Sequence, residues 1–356
     1  MTQLVSGLVT IIAIAGAFLI LIAPHEGGHF LLAKLCKVRV IEFSIGAGTK
    51  LVSFTRDGTL YALRLLPILG YVRMGGMEAD DFEQANGFHS KPPLQRIAIL
   101  AAGPAANFLV AMLLTTGFGL TQLNDVPGKI VRVVPATPAA MTGVQVGDRI
   151  QSVNGKPVNA PGKIQEQEKA APGVPLILRG VHADGKEFSY VIMPVCDSSN
   201  TTCYIGISVQ GLLSPQTAVT NGVSFPFLAI GGIAQGLDAL VTGQIPGGLF
   251  GSQGLTGPIG IAAITDQAVG RGPGDYVLLV AFLSVALGFT NLLPIPALDG
   301  GRIVVVALEW LRRRPFDRRS ELNVQRWGLA ALLGLAALIS FIDIQRIATG
   351  QFPGGH

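Results

Sequence analysis

The chain has 356 residues, of which 49% are hydrophobic and only 13% charged, with a formal net charge of +4. The mean hydropathy is +0.51, and so low a charged share, against the ~25% of soluble domains, excludes an ordinary soluble globular chain and points to a polytopic membrane protein surrounded by lipid. Three cysteines do not make a disulfide scaffold, and a modest positive excess confined to one loop argues against a nucleic-acid partner.

Leu4 to Leu35 is long enough to span a bilayer, and no charged residue stands between Met1 and Pro24. No Lys or Arg precedes the segment, so it does not read as a cleaved signal peptide. Near its second end lies Ala23-Pro24-His25-Glu26-Gly27-Gly28-His29-Phe30. At ~100° per residue, positions i and i+4 of a helix fall within roughly 40° of each other. His25 and His29 can therefore aim two imidazoles at one ion, while Glu26 projects to the side as a base for an activated water. Ionisable groups at membrane depth are costly and by default functional.

Val38 to Gly76 alternates in short β-like runs around Arg56-Asp57-Gly58 and reads as a hairpin. A polar linker, Met77 to Pro93, leads to a second span from Arg96 to Leu120. Within it, Gly103-Pro104 serves either a kink with close packing or the site, and Asn107 is a polar side chain expected to face the bundle interior. From about Asn124 the composition turns soluble, with strands around Gly128 to Val134 and Val146 to Val158, the latter containing an Asn154-Gly155 turn. A helix is expected near Gly162 to Ala171, and further strands at Pro175 to Arg179 and Glu187 to Met193. Cys196 and Cys203 flank a turn-rich loop and are either a small disulfide staple or two free thiols. Ser214 to Gly274 is glycine-rich and interrupted by prolines, which suggests an interfacial connector rather than a span.

A third span begins near Tyr276 and reaches Asn291; a fourth runs from Trp327 to about Ile347, where Asp343 is expected to cap or pair at the far interface. Between them, Asn291-Leu292-Leu293-Pro294-Ile295-Pro296-Ala297-Leu298-Asp299-Gly300-Gly301-Arg302 cannot be regular helix, and such backbone at membrane depth survives only where it lines a cavity or is buried. Asp299 is the carboxylate that completes a three-ligand zinc site with one position open to water. Arg312-Arg313-Arg314 and Arg318-Arg319 place the loop before the fourth span in the cytoplasm. Counting back, the soluble insert is extracytoplasmic, and both His25 and Asp299 fall toward the cytoplasmic side.

Together, His25-Glu26-Gly27-Gly28-His29 and Leu298-Asp299-Gly300 resemble the bacterial site-2 protease family of intramembrane zinc metalloproteases. Phe43-Ser44-Ile45-Gly46, Pro67 to Met74, Lys91 to Arg96, Gly103-Pro104-Ala105-Ala106-Asn107 and Gly257-Pro258-Ile259-Gly260 look like the same family in the same order. The insert resembles a bacterial PDZ domain through Gly147-Asp148-Arg149-Ile150, of which no second copy is visible.

The resemblance implies about four transmembrane helices, a membrane-associated β-hairpin and an inserted α+β PDZ domain. It divides the chain into a core half at 1–123, the PDZ domain at 124–210, a connector at 211–275 and a second core half at 276–356. It implies Zn2+ as cofactor, and regulated intramembrane proteolysis of single-span proteins in a bacterial cytoplasmic membrane. Asn291, Pro294, Gly70 and Asn107 would contact substrate, the hairpin would add a strand to it, and the PDZ domain would bind peptide or exclude bulky ectodomains. Two His and a carboxylate also describe a non-haem iron oxygenase, against which Glu26 argues; an ion-coupled transporter or a non-catalytic PDZ scaffold would show transport or no turnover instead.

Overall fold

The computed structural model describes residues 2–77, 81, 84–123, 127–135, 137–158, 164, 174–196, 203–210, 213–245, 248, 251 and 254–352. These form two compact units, one of residues 1–116 with 222–356 and one of residues 117–221.

In the first unit, α1 (Thr2–Leu35) and α2 (Pro93–Thr121) are long apolar helices, each carrying an internal proline. Between them β1 (Val40–Arg56) and β2 (Thr59–Met74) form the expected hairpin, turned at Asp57 and Gly58, both in the left-handed region. β1 bends at Gly46, where φ is 96° and a Cβ would lie 2.8 Å from the Arg64 carbonyl oxygen, so only glycine fits. The bend lets Phe43 to Ile45 pair with Tyr61 to Leu63 on one side and with Gly70 to Val72 on the other. Among the described residues the end of β2 pairs with β1 alone, so its other edge is open. Arg64 ties the bend together, donating to Ser44 Oγ, the Gly48 carbonyl, Glu42 and Tyr71 Oη. Burial raises the Glu42 carboxyl, but hydrogen bonds from Tyr71 and Arg64 outweigh it and hold its pKa below the usual carboxylate value.

The remaining helices of this unit are α4 (Pro215–Val241), α5 (Pro258–Arg271), α6 (Pro273–Asn291), α7 (Asp299–Arg312) and α8 (Arg318–Ala348). Where interruptions were expected after Ser214, α4 is one unbroken helix of 27 residues. Its Pro226 frees the carbonyl four residues earlier, and the Thr115 hydroxyl of α2 approaches that Gly222 oxygen at 3.4 Å while donating more closely to the Ala111 carbonyl at 2.7 Å. Five described helices, α1, α2, α4, α6 and α8, are long and apolar enough to cross a membrane. Asp343, expected at an interface, is fully buried and accepts from Gly257 N at 2.8 Å and Gly260 N at 2.9 Å. It caps the start of α5, and Arg346 stands beside it at 3.6 Å.

The second unit contains the short helix α3 (Pro138–Met141) and a six-stranded sheet. Its strands are β3 (Lys129–Val133), β4 (Arg149–Val153), β5 (Lys156–Pro157), β6 (Leu176–Val181), β7 (Glu187–Ile192) and β10 (Ile207–Gln210), in the order β10-β3-β4-β6-β7 with β5 beside β4. Inward residues Ile130, Ile150, Leu176, Leu178, Ile192 and Ile205 form its core. Asn154 and Gly155 both adopt positive φ in the tight β4–β5 turn. Cys196 and Cys203 are disulfide-bonded across β8 (Val195–Cys196) and β9 (Cys203–Tyr204). The helix expected at 162–171 falls, except for residue 164, outside the described residues.

Candidate metal centre

His25, Glu26 and His29 lie within the five residues that follow Pro24 in α1, and Asp299 is the first residue of α7. The backbone explains how that carboxylate reaches α1. After α6 ends, Leu293 to Leu298 forms tight turns, with Ala297 held at φ 75° by Gln325, whose side-chain oxygen accepts from the Ala297 N–H. A Cβ on Gly300 would sit 2.2 Å from the Leu292 oxygen, and one on Gly301 2.2 Å from the Ile295 oxygen. Glycine is required at both places for α7 to start directly beneath this loop. Gly328 of α8 makes the same allowance for Pro296, with its Cβ position only 2.6 Å from the Pro296 ring.

The three side chains converge. His25 Nε2 to Asp299 Oδ2 is 3.3 Å, His29 Nε2 to Asp299 Oδ2 is 3.2 Å, and the two Nε2 atoms are 3.3 Å apart. His29 Nδ1 meets the Ile99 carbonyl at 2.8 Å, and a carbonyl can only accept. In the neutral ring the proton therefore sits on Nδ1, and Nε2 turns a lone pair toward His25 Nε2 and Asp299 Oδ2. Asp299 Oδ2 is buried without a hydrogen-bond partner. Such a cluster is repulsive unless a cation sits at its centre. Donors at ~2.0–2.1 Å from a tetrahedral ion stand about 3.3 Å from one another, so the spacing fits a zinc ion. Among the described residues this is the one His/Cys/Asp/Glu group with that convergence.

The walls of the site are less visible in the sequence. A Cβ on Gly103 would fall 2.3 Å from His29 Nε2, and one on Gly28 would fall 2.2 Å from the Ala102 carbonyl. α1 and α2 therefore touch backbone to backbone at the metal, through one glycine from each. Gly70 of the β2 edge is equally tight, its Cβ position 2.6 Å from Ile22 and 2.9 Å from the Glu26 side chain. The open strand edge is thus brought to the proposed base, with the Val72 backbone facing the Glu26 carboxyl.

Asn107 lies one turn beyond Gly103, fully buried, with neither side-chain amide atom partnered. Asn291 ends α6 half-buried, and Pro294 is exposed in the loop; no contact of either with the three ligands is seen. Of the two roles open to Gly103, close packing or the site, the structure shows both at once, the glycine making room for the His29 ring; the Ile99 carbonyl and Gln325 carry no sequence signal, because each acts through tertiary contact.

The sequence profile of Peptidase family M50 matches residues 13–335. Zinc metalloprotease RasP of Bacillus licheniformis is 30% identical, covering 95% of this chain and 99% of its own. Regulator of sigma-W protease RasP of Bacillus subtilis is also 30% identical, over 95% and 99%. The RasP of Geobacillus kaustophilus is 28% identical, over 97% and 99%.

Proposed function

The chain belongs to peptidase family M50, and on that premise we propose that this zinc metalloprotease of the site-2 type cuts peptide bonds in or near the transmembrane segment of single-span membrane proteins, such as anti-sigma factors or signal-peptide remnants. The observation that carries this reading is the triangle of His25, His29 and Asp299 at 3.2–3.3 Å with Glu26 beside it. Zinc held there supplies a Lewis acid for water and for the scissile carbonyl. Glu26 takes the water's proton and returns it to the departing amine. A helical substrate hides its carbonyls in internal hydrogen bonds. The open edge from Gly70 to Met74 can hold a substrate extended by strand addition. Asn107, Asn291 and Pro294 are assigned to the substrate's path.

Parity supports four crossings rather than five. α1 and α6 both end at the metal centre, so an even number of crossings must follow α1 up to the end of α6. α2 and α6 supply two. A crossing α4 would make three, and α5, with 14 residues, spans only about 21 Å of the ~30 Å hydrocarbon core. α4 therefore lies along the interface. The arginines at 312–314 and 318–319 support an orientation in which the metal centre lies toward the cytoplasmic side of a bacterial inner membrane. The insert at 124–210 is then an extracytoplasmic PDZ domain that excludes untrimmed ectodomains.

The test is a cleavage assay on purified protein with a single-span substrate, paired with zinc analysis. Glu26→Gln should abolish cleavage and keep zinc, whereas Asp299→Ala should lose both. Full zinc occupancy in Asp299→Ala would remove Asp299 from the ligand set.

A further inference from the structure

Only Leu298 separates Asp299 from a tight turn. The Leu298 N–H donates to the Ile295 carbonyl at 3.2 Å, closing the four residues Ile295-Pro296-Ala297-Leu298. Proline in the second place and a positive φ in the third, 75° at Ala297, make this a type II turn, whose third place suits glycine or asparagine. Alanine in that left-handed conformation is strained by about 1–2 kcal/mol. A type I turn would remove the strain: it closes the same four residues with the central peptide turned over and the third φ at about −90°.

That central peptide, Pro296–Ala297, is the one α8 grips. Gln325 accepts its N–H, and one turn later Gly328 makes room for its carbonyl, whose oxygen lies 2.8 Å from where a Cβ would stand. Turning the peptide over would take the N–H away from Gln325 and strand the oxygen of a buried amide. Gln325 is itself fixed. Two turns before it, Arg318 pairs with Glu309 of α7 at 2.7 Å, and the same carboxylate accepts from the Phe316 N–H at 2.9 Å and from Arg96 of α2 at 2.9 Å. His89 adds no charge to this anchor near neutral pH, because burial and the neighbouring Arg318, Arg96 and Arg302 push its pKa down to about 3. On the other side the turn has no slack. Leu298 closes it with its N–H and opens α7 with its carbonyl, which accepts from the Arg302 N–H at 3.3 Å. A change in the turn therefore passes directly to Asp299, the first residue of α7.

We propose that Gln325 is a positioning residue for the metal centre, holding the Pro296–Ala297 peptide in the orientation that aims the Asp299 carboxylate at His25 and His29. It acts through the turn and needs no contact with the ion or the substrate. The proposal rests on Asp299 being a zinc ligand.

The experiment measures the zinc affinity of purified full-length protein by competition with a fluorescent chelator. Gln325→Met, which keeps the length of the side chain and removes the acceptor, should weaken zinc binding about tenfold, the lower end of what residues that orient a ligand contribute. Adding Ala297→Gly to that variant should bring the affinity back to within about threefold of the parent, because glycine takes positive φ without being held there. A general loss of packing around position 325 would not be repaired by removing a methyl group from the turn. Ala297→Val reads the link from the loop with Gln325 intact, and so decides the matter if Gln325→Met does not fold. A β-branched residue resists positive φ, and zinc binding should again weaken about tenfold. Affinity within about twofold of the parent in Gln325→Met or in Ala297→Val, or no recovery on adding Ala297→Gly, overturns the proposal. Asp299→Ala separates the two readings. If it keeps its zinc, the ligand set is wrong and the positioning role falls with it; if it loses zinc while Gln325→Met and Ala297→Val keep theirs, the positioning role alone is wrong.

Discussion

Replacing Gly103 by Ala adds one carbon atom, and ordinarily a Gly→Ala change inside a helix stabilises by about 1 kcal/mol. Here the new Cβ would fall 2.3 Å from His29 Nε2, where ordinary contact begins at 3.4 Å. The overlap of roughly 1.1 Å far exceeds the ~0.2 Å tolerance of a metal–ligand bond. The ring has no easy retreat, since its Nδ1 is tied to the Ile99 carbonyl, four residues earlier on the same helix. α2 cannot back away either without breaking that bond. Gly103→Ala should therefore lower zinc affinity by about 100-fold, the upper end of what residues that orient a ligand contribute, with cleavage falling in parallel. Competition against a fluorescent chelator on purified protein measures it. Gly117→Ala is the control: it lies in the same helix with nothing within 4 Å of its Cβ position, and should stabilise without touching zinc. If Gly103→Ala binds zinc like the parent and gains stability as Gly117→Ala does, the backbone contact at the metal is not as described.

Glu309 is 6% exposed and pairs with Arg96, which is 5% exposed, so Glu309→Ala strands a buried guanidinium and should cost about 3–5 kcal/mol; a denaturation shift under about 1 kcal/mol would refute that. His89, with its pKa lowered from 6.5 to about 3, stays neutral in the folded protein while the unfolded chain takes up a proton. Stability should therefore fall as pH drops from 6.5 toward 3. His89→Gln should flatten that part of the unfolding-midpoint profile, and an unaltered profile would show that other groups carry it.

The chemistry of the centre was readable because it depends on local spacing. His25, Glu26 and His29 occupy positions i, i+1 and i+4 of one helix, and Asp299 follows a proline-rich stretch that cannot be regular helix. What sequence spacing does not carry is the partner of a small residue. Gly28 and Gly103 look like ordinary packing glycines until α1 and α2 are brought together, and Gly300 and Gly301 until the 292–296 loop folds over them. The continuity of α4 was hidden for the same reason: its prolines and glycines suggest breaks, and the residues that Phe225, Ala229 and Ile230 pack against, Ala111, Ala281 and Val285, come from other helices. Asp343 was expected to cap or pair and does both, but which amides it caps was not legible, because they lie over eighty residues upstream. The hairpin and the sheet strands were legible from alternation and turn residues, whereas the bend at Gly46 that leaves β2 with an open edge was not.

That long reach of Asp343 sets an order of assembly. Gly257 and Gly260 leave the ribosome 86 and 83 residues before the carboxylate that accepts from their amides. At synthesis rates of about 5–20 residues per second, the start of α5 waits roughly 4 to 17 seconds for its cap. α1 and α2 are made before that interval and α6 and Asp299 during it, so the bundle can gather around the metal residues first, and α5 locks down only when Asp343 arrives. A chain stopped short of residue 343 would keep every residue of the metal centre and still lack the clasp that closes α5 against α8.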